Sequence, residues 1–171
     1  MALEDLLLNF SEATGISYLL ITFRWGWPIA ETLHFTGLCL LFGCIGFFDL
    51  RVLGWAKGLP LAELHKLIPI GIGGYILNVI TGVMFVTTVP DQYIYNPAFQ
   101  TKMFFMMTAG INMLLFYRLS YKDLIKLGPG EPAPVKAKVF VFISLLAWLG
   151  VIACGRLITF FRPPFFWCFW C

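Results

Sequence analysis

Charge is what this sequence has least of. Lys, Arg, Asp and Glu together make up 12% of its 171 residues, roughly half the share of an ordinary soluble domain. So few charges leave too little solvated surface to enclose a water-soluble core, and a soluble globule is excluded. Disorder is excluded too, because 18% of the residues are aromatic, the opposite of a solvating composition. Histidine occurs twice, as His34 and His65. The five cysteines (Cys39, Cys44, Cys154, Cys168 and Cys171) are too few and too deeply set in apolar stretches for a secreted disulfide framework. There is no Walker loop, no Gly-x-Ser-x-Gly, no His-Glu-x-x-His and no pair of carboxylates inside an apolar stretch, so no enzymatic activity is expected. Basic residues gather in two loops and not along one polar stripe, which argues against nucleic acid as a partner. Residues 1–23 carry Glu4, Asp5 and Glu12 where a secretory signal would carry Lys or Arg, so no signal peptide is expected.

What is abundant is apolar sequence, 60% of the chain. Four stretches reach the roughly 20 residues that cross a bilayer: about 28–48, 67–89, 98–119 and 137–161. Hydrocarbon offers no hydrogen bonds, so each must be a helix, and short loops make neighbours antiparallel. The expected fold is a single all-α domain, an integral membrane four-helix bundle. Residues 1–23 differ, since their acids interrupt the apolar pattern and Leu3, Leu7 and Phe10 recur at helical spacing. They are expected to form an amphipathic helix lying on the membrane surface. The loops between the first and second and between the third and fourth stretches hold Arg51, Lys57, Lys66, Arg118, Lys122, Lys126, Lys136 and Lys138. The opposite side holds Arg24, Lys102, Arg156 and Arg162. Eight against four places the two loops in the cytoplasm and both termini in the periplasm. Trp25, Trp27, Tyr93, Tyr95, Trp167 and Trp170 then fall at the outer interface. Gly74, Asn78 and Gly82, four apart, predict a small-residue packing ridge, with Asn112 as a partner for Asn78.

Ionisable groups inside such stretches are costly and mark candidate sites. With a rise of about 1.5 Å per residue, Glu31, His34, Lys102 and Arg156 share one layer roughly 5–9 Å below the outer interface. Glu31 and His34 also share a helix face, being three apart. One reading is a structural network, with Glu31 paired to Arg156, Lys102 extended outward and His34 bonded to a carbonyl. The sharper reading makes His34 a ligand, with Glu31 supporting it or accepting a proton. Lys102 and Arg156 would then neutralise an anion such as haem propionates, and Met103, Met106 or Met107 would supply a second ligand. His with Met suits haem b, and soft Met and Cys ligands suit copper as Cu(I).

His65 lies a membrane thickness from His34, so one chain cannot hold a bis-histidine haem between them. It is expected at the opposite interface, near Asp49 or lipid head groups. Asp49-Leu-Arg51 is expected to form a local charge pair at a helix end. The aromatic tail 162–171 places Cys168 and Cys171 in a Cys-x-x-Cys, two ligands short of a zinc site. A disulfide, a partner contact or membrane anchoring are the readings open for it.

Taken together, Glu31-Thr-Leu-His34, Asp49-Leu-Arg51, Thr81-Gly82, the stretch from Asn96 to Lys102 and Gly155-Arg-Leu-Ile158 resemble an uncharacterised family of small four-helix bacterial inner-membrane proteins. The likeness covers most of residues 28–161 and implies a multi-pass location in the bacterial inner membrane. A more remote, architectural likeness joins a His-bearing helix of this kind to the copper-resistance D and b-type cytochrome membrane bundles. The expected function is therefore an accessory or electron-transfer membrane subunit binding a redox cofactor or metal at His34, haem b ahead of copper. The alternative is a cofactor-free subunit that stabilises a larger membrane complex or homo-oligomer. A proton path through Glu31 is a third reading, with Asp49 at the far face and only Asn78 and Asn112 between.

Overall fold

A computed structural model describes residues 2–128 and 130–161, and in these the chain forms helices joined by turns and loops, without strands. The aromatic tail from Arg162, with Cys168 and Cys171, lies outside the described residues. In chain order the helices are α1 (Ala2–Ala13), α2 (Gly26–Leu53), α3 (Leu61–His65), α4 (Ile68–Thr88), α5 (Asp91–Ile94), α6 (Pro97–Leu119), α7 (Tyr121–Leu124) and α8 (Val135–Leu157). A π-helical turn, Tyr18–Thr22, precedes α2, and a 3-10 turn, Ile158–Phe160, extends α8.

The long helices build an all-α membrane bundle. Three helical stretches, Gly26–Leu53, Leu61–Thr88 and Val135–Phe160, are long and apolar enough to cross a membrane. The fourth long helix, α6, has 23 residues and runs along α8. Lys102, Gln100, Asn112 and Arg118 make it more polar than the other three. The tightest pairings are α2 with α4 and α6 with α8, and α2 against α8 joins the two hairpins. Large side chains such as Ile76, Phe104, Leu114 and Phe142 point outward, more than half exposed, as a hydrocarbon solvent allows.

Helix ends follow local chemistry. α2 continues past Phe48 to Leu53 because Asp49 and Arg51 are buried in protein, 4% and 1% exposed, and so never meet lipid. It stops at Gly54, whose φ of +115° suits glycine and whose N–H donates to the carbonyls of Leu50 and Arg51. α6 opens on Asn96, fully buried, whose Oδ1 accepts from the N–H groups of Ala98 and Phe99. Pro97 follows at the first helical position, where no N–H is needed. The Asn96 Nδ2 donates to the carbonyls of Ile158 (2.9 Å) and Phe161 (3.2 Å), tying the start of α6 to the end of α8.

The N-terminal segment is not one continuous helix. α1 forms as its spacing predicted, but it docks on α4, with Ser11 fully buried and its hydroxyl 3.4 Å from that of Thr88. The remainder turns through Gly15 (φ +74°) into the π-helical turn, which packs on α2.

The largest apolar cluster lies at one end of the bundle and gathers Phe48, Val52, Leu61, Leu64, Phe116, Leu124 and Val141. This is the end that carries the two lysine- and arginine-rich loops, and we call it the basic end. The opposite end has two smaller clusters, one around Leu20, Ala30 and Phe85, the other around Ala98, Ile158 and Phe161.

Candidate functional site

At the end opposite the basic loops, α2 presents His34 toward α4. His34 Nδ1 lies 2.7 Å from Thr81 Oγ1. The Thr81 hydroxyl also reaches the carbonyl of Leu77 at 2.8 Å, one turn back on its own helix. With its one proton on that carbonyl, Thr81 accepts from His34 Nδ1–H, the tautomer that leaves Nε2 with a bare lone pair. Thr81 is 2% exposed, so the hydrogen bond is shielded from competing solvent.

The walls around the imidazole are small or apolar. The ring meets Phe85 edge-on, with centroids 5.7 Å apart. A Cβ on Gly82 would lie 3.7 Å from His34 Cε1, so glycine leaves clearance beside the ring. One turn deeper, α2 and α4 come as close as helices can. A Cβ on Gly37 would stand 2.7 Å from both Asn78 Nδ2 and the Gly74 carbonyl oxygen, and one on Gly74 would stand 2.6 Å from the Gly37 carbonyl. This contact sets the distance between the helices, and with it the His34–Thr81 bond.

Lys102 reaches the same layer from α6. Its Nζ lies 3.7 Å from the position a Gly155 Cβ would take, so it turns inward against α8 and does not extend outward. There it is within electrostatic range of both His34 and Cys154.

The structure separates the rest of the predicted layer. Glu31 and Arg156 are exposed and form no ion pair among the described residues. The charge pair between them is thus absent, because Glu31 lies on the outward side of α2 while His34 faces α4. Met103 and Met107 are 42% and 65% exposed and face outward. Met106, half-buried, is the remaining candidate of the three for a position facing the bundle. Among the described residues no three His, Cys, Asp or Glu side chains gather as a metal cluster.

Two further expectations are corrected. Asn78 and Asn112 do not meet, since α4 and α6 are not packed along their lengths. Asn78 bonds its own helix at the Gly74 carbonyl, whereas Asn112 donates to the Phe140 carbonyl of α8 at 2.9 Å. Asp49 and Arg51 do not pair either, because residues two apart point to different sides of a helix. Arg51 Nε donates to the Leu59 carbonyl at 2.7 Å, and Asp49 Oδ2 is buried with no hydrogen-bond partner among the described residues. His65 stands in an aromatic cluster, with Nε2 3.0 Å from the Tyr117 hydroxyl and the Tyr121 ring 4.8 Å away. The residue that sequence reasoning undervalued is Thr81. Its depth, about 10 Å from the end of α4 by helical rise, matches that of His34 on α2.

A family model described as a family of unknown function (DUF6644) matches residues 8–161. The chain belongs to that family. The match embraces every helix that builds the His34 layer, from α2 to α8. Comparison with curated proteins and with solved structures finds no match.

Proposed function

We propose that the protein is a multi-pass subunit of the bacterial inner membrane that binds a redox metal centre at His34, in an accessory or electron-transfer role. The reading is carried by one observation: His34 Nδ1 lies 2.7 Å from the buried Thr81 hydroxyl, a contact that can orient the ring and leave Nε2 to bind. Metal-bound histidines are oriented in this way, through a hydrogen bond from the ring nitrogen that does not bind the metal. Haem b is put ahead of copper because of Lys102. Its ammonium within range of the imidazole opposes a bare cation and matches an anionic propionate. Met106 is the second-ligand candidate from α6. The experiment is an absorption spectrum and elemental analysis of the purified protein beside His34→Ala. A Soret band or bound metal that disappears in the variant is the expected result. Wild-type protein with neither sinks the reading.

A second reading is favoured by Glu31 and Arg156, two opposite charges exposed in one layer with no ion-pair partner among the described residues. In a cofactor-free structural subunit they would pair across an interface, most simply between two copies. Charge reversal separates this case. Glu31→Arg should weaken the oligomer seen by native mass spectrometry, and Glu31→Arg with Arg156→Glu should restore it. Equal masses throughout would exclude it.

A further inference from the structure

The basic end holds a second concave feature, independent of His34. The loop after α2 and the proline-rich connector before α8 meet there, where the Gly130 N–H donates to the Lys57 carbonyl at 2.9 Å. Between them is a cavity of about 210 Å³, with Arg51, Lys57, Lys138 and Glu131 in its wall. Arg51 belongs to the body of α2 and is 1% exposed. Its Nε is satisfied by the Leu59 carbonyl, but its Nη2 is buried with no hydrogen-bond partner among the described residues. A buried charged donor without an acceptor is expensive, and native folds rarely keep one.

The one carboxylate in the wall does not answer it. Glu131 Oε2 accepts from the Gly128 N–H at 2.9 Å and serves the turn of the connector. Among the described residues, neither Arg51, Lys57 nor Lys138 forms an ion pair. Three cations thus face one cavity against a single acid that is already engaged. We propose that this cavity binds a phosphate-bearing anion, with Arg51 donating from the floor and Lys57 and Lys138 from the rim. Phosphate suits it because several oxygens can take the guanidinium edge and two ammonium groups at once. The phosphate can belong to an anionic phospholipid or be free in solution. Trp55 lies beside the cavity and is 72% exposed, the behaviour of an interfacial aromatic, so the cavity is level with lipid head groups.

The test uses the full chain in two arms. In the first, protein in nanodiscs of equal phosphatidylglycerol and phosphatidylcholine is released and its retained lipids are weighed by native mass spectrometry. In the second, inorganic phosphate is titrated calorimetrically into protein in a neutral detergent. Preferential retention of phosphatidylglycerol without phosphate binding assigns the lipid source, and saturable phosphate binding assigns the soluble one. In either arm Lys57→Gln with Lys138→Gln should weaken binding about tenfold or more. Arg51→Lys, which keeps the charge and loses the fork, should also weaken it. If Arg51→Lys fails to fold, the lysine pair decides alone. No selectivity in either arm, or binding unchanged in the lysine variant, overturns the proposal.

Discussion

At the scale of single residues, a threonine controls what a histidine can do. His34 alone on an apolar helix has two tautomers, and a Thr81 hydroxyl that gives its proton to Leu77 favours the one donating from Nδ1. Thr81→Val keeps the shape and removes the acceptor. It should lower metal affinity by about 10–100-fold if Nε2 is a ligand, as measured by competitive metal or haem titration. Tyr95 shows a comparable dependence outside the membrane-spanning helices. Its hydroxyl bonds Glu4 of α1, whose negative charge also helps to hold the phenol above its ordinary value. A raised value means that the contact favours the neutral phenol. Its contribution is complete below the unfolded pKa of about 10 and is lost as pH rises through the higher folded value. Glu4→Gln should move the Tyr95 alkaline transition, isolated by subtraction of Tyr95→Phe in ultraviolet titration, toward lower pH.

At the scale of helices, two devices hold the bundle in register. The first is the contact of Gly37 with Gly74 and Asn78. Gly37→Ala should cost about 1–3 kcal/mol by overpacking, because its Cβ would stand 2.7 Å from groups on α4. Gly43→Ala on the same helix meets nothing within 4 Å and should be neutral or stabilising by up to about 1 kcal/mol. Thermal unfolding of both variants in one detergent gives the comparison, and equal losses would contradict the geometry. The second device is Asn96, which caps α6 and bonds the end of α8. Asn96→Ala removes the cap and the donor to the Ile158 and Phe161 carbonyls. A loss of about 2–4 kcal/mol is expected, read as a lower midpoint in the same assay.

At the scale of the whole molecule, polarity is divided between the two ends. The basic end has the larger apolar cluster, the proline-rich connector and the cation-lined cavity, and the other end has the His34 layer. By the positive-inside rule, an excess of Lys and Arg in two loops predicts that those loops face the cytoplasm. Reporter fusions placed after Gly58 and after Lys126 should therefore behave as cytoplasmic, and fusions at either terminus as periplasmic. A cytoplasmic N-terminus would invert the bundle and place His34 on the inner side.

Composition and spacing alone determined the membrane class, the all-α bundle, the approximate extents of α4, α6 and α8, and the shared depth of His34 and Lys102. Those properties follow from apolar content and from a fixed rise per residue, which are local quantities. The tertiary structure decided which way each side chain in that layer turns. It faced His34 to Thr81 and Lys102 to Gly155, left Glu31 and Arg156 outside, and sent Asn78 and Asn112 to different neighbours. Depth along a helix can be counted from the sequence. Azimuth matters only against a neighbour, and here neighbours were chosen by the glycine contact of α2 with α4 and by the pairing of α6 with α8. The same holds for Arg51, one more basic residue at a helix end by sequence. Burial and an unmet donor make it a candidate ligand.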